Sequence, residues 1–119
     1  EYLRRGGRVG LAAALLGGAL AVKPLLKVVD GKVTSLEKVR TASRALARLE
    51  ELAYQAAAER ASEVTVVHLA SPERAGALAE KLQERLELEQ TPPIVEVGAV
   101  IGAHVGPGMV AVCVSPQLS

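Results

Sequence analysis

Apolar and polar positions follow two different periods along this chain, and the changes of period divide it into elements. Ala42, Ala45, Leu46, Leu49, Leu52, Ala53, Ala56 and Ala57 form one stripe of a 3.6-residue repeat, with Arg44, Arg48, Glu51 and Glu59 turned away from it. That spacing predicts an amphipathic helix. Two starts are open to it. Thr34 with Glu37 fits a capping box, whereas Thr41 as N-cap leaves Ser35–Arg40 extended. A second stripe, Ala75, Leu78, Ala79, Leu82 and Leu86, follows Ser71-Pro72. A cap residue and then proline is the order that starts helices.

Other segments read as strands. Glu63–Leu69 is β-branched. Leu25–Val29 and Lys32–Thr34 flank Asp30-Gly31, and Asp-Gly between apolar runs predicts a hairpin because both turn positions want positive φ. Ile94–Val97 follows the break Thr91-Pro92-Pro93, and the glycine-rich Gly98–Gly108 joins it to a last strand, Met109–Val114. Leu11–Val22 is apolar on all sides and rich in Ala and Leu, which predicts a fully buried helix closed by Pro24. Gly17 and Gly18 within it permit close approach by a backbone or a ligand. Glu1–Arg5 reads as the end of a further helix, stopped by Gly6-Gly7. The alternation predicts an α/β domain, a mixed β-sheet flanked by helices.

Composition narrows the function classes. At 119 residues the chain is one domain, and 14 basic against 13 acidic residues give no field that would draw nucleic acid or an anionic membrane. With Tyr2 and Tyr54 as its only aromatics, it lacks the stacking platform of single-strand nucleic-acid binders. A lone Cys113 excludes an internal disulfide and a Cys-based metal site, and within MVAVCV it reads as an inert core thiol. One thiol fits a reducing compartment, and no leader pattern opens at Glu1, so a cytoplasmic protein is expected. The apolar run Val9–Val22 is 14 residues, short of the about 20 that a membrane span needs, so no transmembrane segment is expected.

Three segments could carry chemistry. GGRVG sets Arg8 behind Gly6 and Gly7 and just before the apolar stretch. An arginine against an apolar wall needs an anionic partner. It could hold an anionic head group whose tail lies along Leu15, Leu16 and Leu20, or simply cap a helix or pair with a glutamate. KVRTASRAL sets Arg40 near a hairpin end beside Lys38 and Arg44, where a solvated basic face is the plainer account. GAVIGAHVGPG surrounds His104 with Gly102, Gly106 and Gly108, behind Ile101. Such glycines imply unusual backbone angles or close approach to something, although a structural histidine in a turn would also fit. His68, ending an apolar strand, reads as a satisfied core or pocket-rim histidine. No catalytic triad, His-rich zinc set or acidic loop for Mg²⁺ is evident, so neither catalytic nor metal residues are expected.

Taken together, EYLRRGGRVG with its Ala/Leu-rich continuation, AVKPLLKVVDGKV, KVRTASRAL and VGAVIGAHVGPG resemble the C-terminal domain of the DegV family, along essentially the whole chain. The resemblance implies a two-domain α/β protein that buries a long-chain fatty acid between its domains. It implies a carrier rather than an enzyme, one that needs no cofactor and presents the fatty acid carboxylate to a fatty acid kinase. That kinase makes an acyl phosphate for phospholipid synthesis. It places Arg8 and His104 in the hydrogen-bond network around the carboxylate, and Leu15, Leu16, Leu20 and Ile101 along the acyl chain. Gly6, Gly7, Gly102, Gly106 and Gly108 would supply loop backbone, and Arg40 would dock the kinase. The family's N-terminal domain, which carries the hydroxyls that bind the carboxylate directly, has no counterpart in this chain. Two other readings stand beside it. A phosphoryl-transfer domain would need a metal-binding carboxylate cluster or a P-loop, and a transcription regulator would need a basic recognition helix. The helix from Thr41 mixes Arg44, Arg48 and Arg60 with Glu50, Glu51 and Glu59.

Overall fold

A computed structural model describes residues 10–17, 21–29, 32–58, 62–98 and 107–116. Six strands build one sheet: β1 (Gly10–Leu15), β2 (Lys23–Val29), β3 (Lys32–Val39), β4 (Ser62–His68), β5 (Ile94–Glu96) and β6 (Met109–Pro116), in the spatial order β3-β2-β1-β6-β4-β5. Helix α1 (Ala42–Ala58) follows β3 and helix α2 (Pro72–Leu86) follows β4. All neighbours pair antiparallel except β4 and β5, which are parallel and joined through α2. The sheet is therefore mixed, as expected.

The predicted buried helix over Leu11–Val22 is not what forms. Its first half is β1, near the centre of the sheet between β2 and β6, and Pro24 lies inside β2 opposite Lys38. A short all-apolar run suits a strand buried on both faces as well as a buried helix. Here two antiparallel partners satisfy every register position from Leu11 to Ala14, which outweighs the helix preference of Ala and Leu. The β2–β3 hairpin forms with Val29 opposite Lys32, while its expected turn, Asp30-Gly31, lies outside the described residues, and β3 runs on to Val39. That decides the start of α1. The Arg44 N–H donates to Thr41 Oγ1 at 3.1 Å, while Thr34 and Glu37 lie in β3.

Both helices cover one face of the sheet. Ala45, Leu49, Ala53 and Ala57 of α1 and Ala75, Leu78, Ala79 and Leu82 of α2 pack on Ala14, Leu16, Leu25, Val64, Val66, Val110, Val112 and Val114. Alanine at so many helix positions lets the helices approach the sheet closely. Arg85 ties the helices together: it bonds Glu50 at 3.3 Å and Glu51 at 3.2 Å, and its guanidinium lies 4.0 Å from the Tyr54 ring centroid. Ser71 occupies the cap position of α2, but its hydroxyl makes no capping bond. Its backbone N–H donates instead to His68 Nδ1 at 3.0 Å.

Candidate functional site

Neither α1 nor α2 packs on the second face of the sheet. There Ala13, Met109 and Ala111 are buried, and Leu11, Leu15, Val67, Leu69 and Val97 are half-buried around them. Register adds Leu26 opposite Ala13, Val28 opposite Leu11, and Cys113 opposite both Leu11 and Thr65. The pleat explains the composition, since alternate residues of one strand point to opposite faces. Thr65 is the one polar side chain among those named. Ala13 and Ala111 are direct partners at its middle, so this face is low at its centre and higher at its Leu and Val margins. Burial pushes the Cys113 thiol up from its ordinary pKa and keeps it protonated.

Leu15 and Leu16 do not share a wall. Leu15 joins the face that neither α1 nor α2 covers, whereas Leu16 is 3% exposed in the core beneath the helices. The two leucines expected along an acyl chain therefore lie on different faces, as a strand's period of two divides neighbours.

Strand directions collect the loops. β1, β3, β4 and β5 run one way and β2 and β6 the other, so Leu15, Val39, His68 and Glu96 end, and Lys23 and Met109 begin, at the same edge of the sheet. The glycine-rich connection leaves and returns at this edge. Its return is tightly held. Gly108 has φ +96, its N–H donates to Leu69 O at 2.8 Å, and its C=O accepts the Leu16 N–H at 3.2 Å. A Cβ on Gly108 would lie 3.1 Å from Gly17 N and 3.2 Å from Leu16 C, so a side chain here would crowd two backbone atoms as well as strain its own φ. Lys23 Nζ bonds Gly17 O at 3.1 Å on the other side of this crossing.

Arg40 is exposed at the same edge, between β3 and α1. Arg8, Leu20, Ile101 and His104, together with Gly6, Gly7, Gly102 and Gly106, lie outside the described residues. The described neighbours of the two head-group candidates differ in position. Gly108 stands beside Leu16, whereas Gly10 begins β1 at the far edge, opposite Val114. His68 is 5% exposed and accepts a hydrogen bond, as a satisfied core histidine should. The role of Glu96, whose Oε2 accepts the Ala70 N–H at 3.3 Å, had no signal in the sequence beyond its place at a strand end. Among the described residues no group of His, Cys, Asp or Glu could hold a metal ion, and no helix is long and apolar enough to cross a membrane.

The model of the family described as uncharacterised protein, DegV family, matches residues 1–117. The chain belongs to the DegV family. A DegV domain-containing protein of Streptomyces coelicolor is 56% identical over 98% of the chain, which spans 42% of that relative. Among solved structures, a DegV family protein from Corynebacterium glutamicum superposes with a TM-score of 0.80 at 25% identity, covering 94% of this chain and 49% of that one. A fatty acid binding DegV family protein from Streptococcus agalactiae superposes with a TM-score of 0.79 at 27% identity, covering 92% and 45%. The chain thus spans less than half the length of these DegV relatives.

Proposed function

We propose that this chain is the C-terminal domain of a two-domain DegV protein and that the sheet face covered by neither α1 nor α2 is one wall of a tunnel for a single long-chain fatty acid. The observation that carries the reading is the apolar patch on that face, with small residues at its centre and larger ones at its margins; by register the polar Ser35, Glu63 and Ser115 share the face only towards β3 and the end away from the loops. An apolar sheet face of this kind needs a cover. The family's N-terminal domain supplies it, with the acyl chain between the two. The Streptococcus agalactiae relative, described as fatty acid binding, supports the ligand class.

The energetics suit a carrier. Burying an acyl tail contributes about 0.8 kcal/mol per methylene, so roughly 14 methylenes supply on the order of 10 kcal/mol before ordering costs. Affinity then comes from the wall, to which Leu15 belongs, with Leu20 and Ile101 as further candidates from the resemblance. The polar end need only satisfy a carboxylate that would otherwise be buried unpaired. His104 is the better supported member of that network, because its loop is anchored at Gly108 beside Leu15 and Leu16. Support for Arg8 rests on its fixed charge, its forked geometry and the family resemblance.

The protein performs no chemistry itself in this reading and takes no cofactor. In the cytoplasm it presents the carboxylate to a fatty acid kinase, which forms the acyl phosphate for phospholipid synthesis. Arg40 docks the kinase. It stands at the loop edge of the sheet, and β3 is three strand spacings from β6, about 14 Å. Mass spectrometry of lipid released from the denatured full-length protein is expected to find about one long-chain fatty acid per chain. A well-folded full-length sample that releases none contradicts the reading.

A further inference from the structure

One polar cluster takes no part in the proposed wall. His68 and Glu96 end β4 and β5 as register partners, and both side chains bond the turn between β4 and α2. His68 Nδ1 accepts the Ser71 N–H at 3.0 Å, and Glu96 Oε2 accepts the Ala70 N–H at 3.3 Å. Because Nδ1 is the acceptor, the imidazole proton sits on Nε2. Between them Ala70 is held at φ 53, the left-handed region that alanine disfavours.

The same short segment carries both ends of the glycine-rich connection. His68 C=O accepts the Val97 N–H at 2.9 Å, where the connection begins. Leu69 C=O accepts the Gly108 N–H at 2.8 Å, and the Leu69 N–H donates to Met109 O at 3.0 Å, where it ends. A strained turn is thus held by two side chains, and its backbone in turn holds the base of the loop.

We infer that His68 and Glu96 are positioning residues that fix Val97 and Gly108, the two described ends of the glycine-rich connection, and that the head-group end of the ligand depends on those ends; this rests on the fatty acid reading above. Replacing His68 with Leu keeps an apolar bulk but leaves the Ser71 amide buried without its acceptor. Ala70 then relaxes, and Leu69 moves with it. Asn places Oδ1 where Nδ1 stood, so His68→Asn keeps the bond.

The test uses the full-length protein with His68→Leu, His68→Asn and Glu96→Ala, reading amide exchange at Val97 and Gly108 and binding of palmitate and of hexadecan-1-ol. His68→Leu is expected to speed exchange at both amides and weaken palmitate about tenfold. Hexadecan-1-ol, which lacks the carboxylate, should bind as before, and His68→Asn should restore palmitate. Where His68→Leu does not fold, Glu96→Ala, altered at an exposed carboxylate, carries the same expectation. Unchanged exchange and an unchanged palmitate-to-alcohol ratio overturn the inference, as does an equal loss of both ligands. A wild type that binds neither ligand overturns the fatty acid reading and this one together. Normal palmitate binding by the folded variants overturns this one alone.

Discussion

At Gly108 a single residue joins the fold to the proposed site. Its φ of +96 strains any side chain, and the backbone atoms of Leu16 and Gly17 would crowd a Cβ. Gly108→Ala is expected to cost about 2–3 kcal/mol, since strain and a contact with immovable backbone add. Chemical denaturation measures this, and an unchanged midpoint would mean that the crossing of Leu16–Gly17 with Pro107–Gly108 is not as tight as described. The glycine-rich segment announced some such constraint in the sequence, but not which glycine bears it, because the contact is with a strand end far away in the chain. Arg40 has the opposite character. It is exposed, with no hydrogen bond or ion pair to another described residue. Arg40→Ala should leave lipid content unchanged and slow acyl-phosphate formation with the kinase, by about tenfold if one charged contact is lost. Equal rates for the variant and the wild type would remove the docking role.

Elements were legible where their period was long and their caps were local. The α1 and α2 stripes fall in the core much as the spacing predicts, although Ala56 is exposed and Leu52 lies outside the core cluster, and Thr41 makes the capping bond. β1 was not legible, because an apolar run without polar punctuation carries no period, and its partner β6 lies at the other end of the chain. The bond that His68 makes to Ser71 was also hidden, since Ser71-Pro72 alone points to the hydroxyl as the cap. The end of α2 offers a test at this scale. Glu87 takes the left-handed position, φ 56 and ψ 46, with its N–H on Glu84 O and the Leu88 N–H on Gln83 O at 2.9 Å. This is the position that glycine favours, so Glu87→Gly is expected to stabilise the domain by about 1 kcal/mol. A thermal melt that moves down instead would show that the Glu87 side chain makes a contact worth more than the strain.

For the whole molecule, the sequence pattern was enough for an α/β domain with a mixed sheet but not for the strand order, which long-range pairing decides. That order creates the feature on which the functional reading depends. By putting both helices on one face, it leaves Ala13 and Ala111 at the centre, and Met109 towards the loop edge, of another that neither helix touches. This face is only partly legible in the sequence. Of the residues singled out there Leu15 lies on it, but its neighbours Ala13, Met109, Ala111 and Val67 carry no signal, because a strand face draws one residue in two from several distant segments. A crystal structure of the full-length protein with its co-purified lipid tests this directly. The account predicts acyl-chain density lying over Ala13 and Ala111, with its carboxylate towards the edge where Gly108 anchors the loop. Density elsewhere in the protein, with the N-terminal domain packed dry against that face, would contradict it.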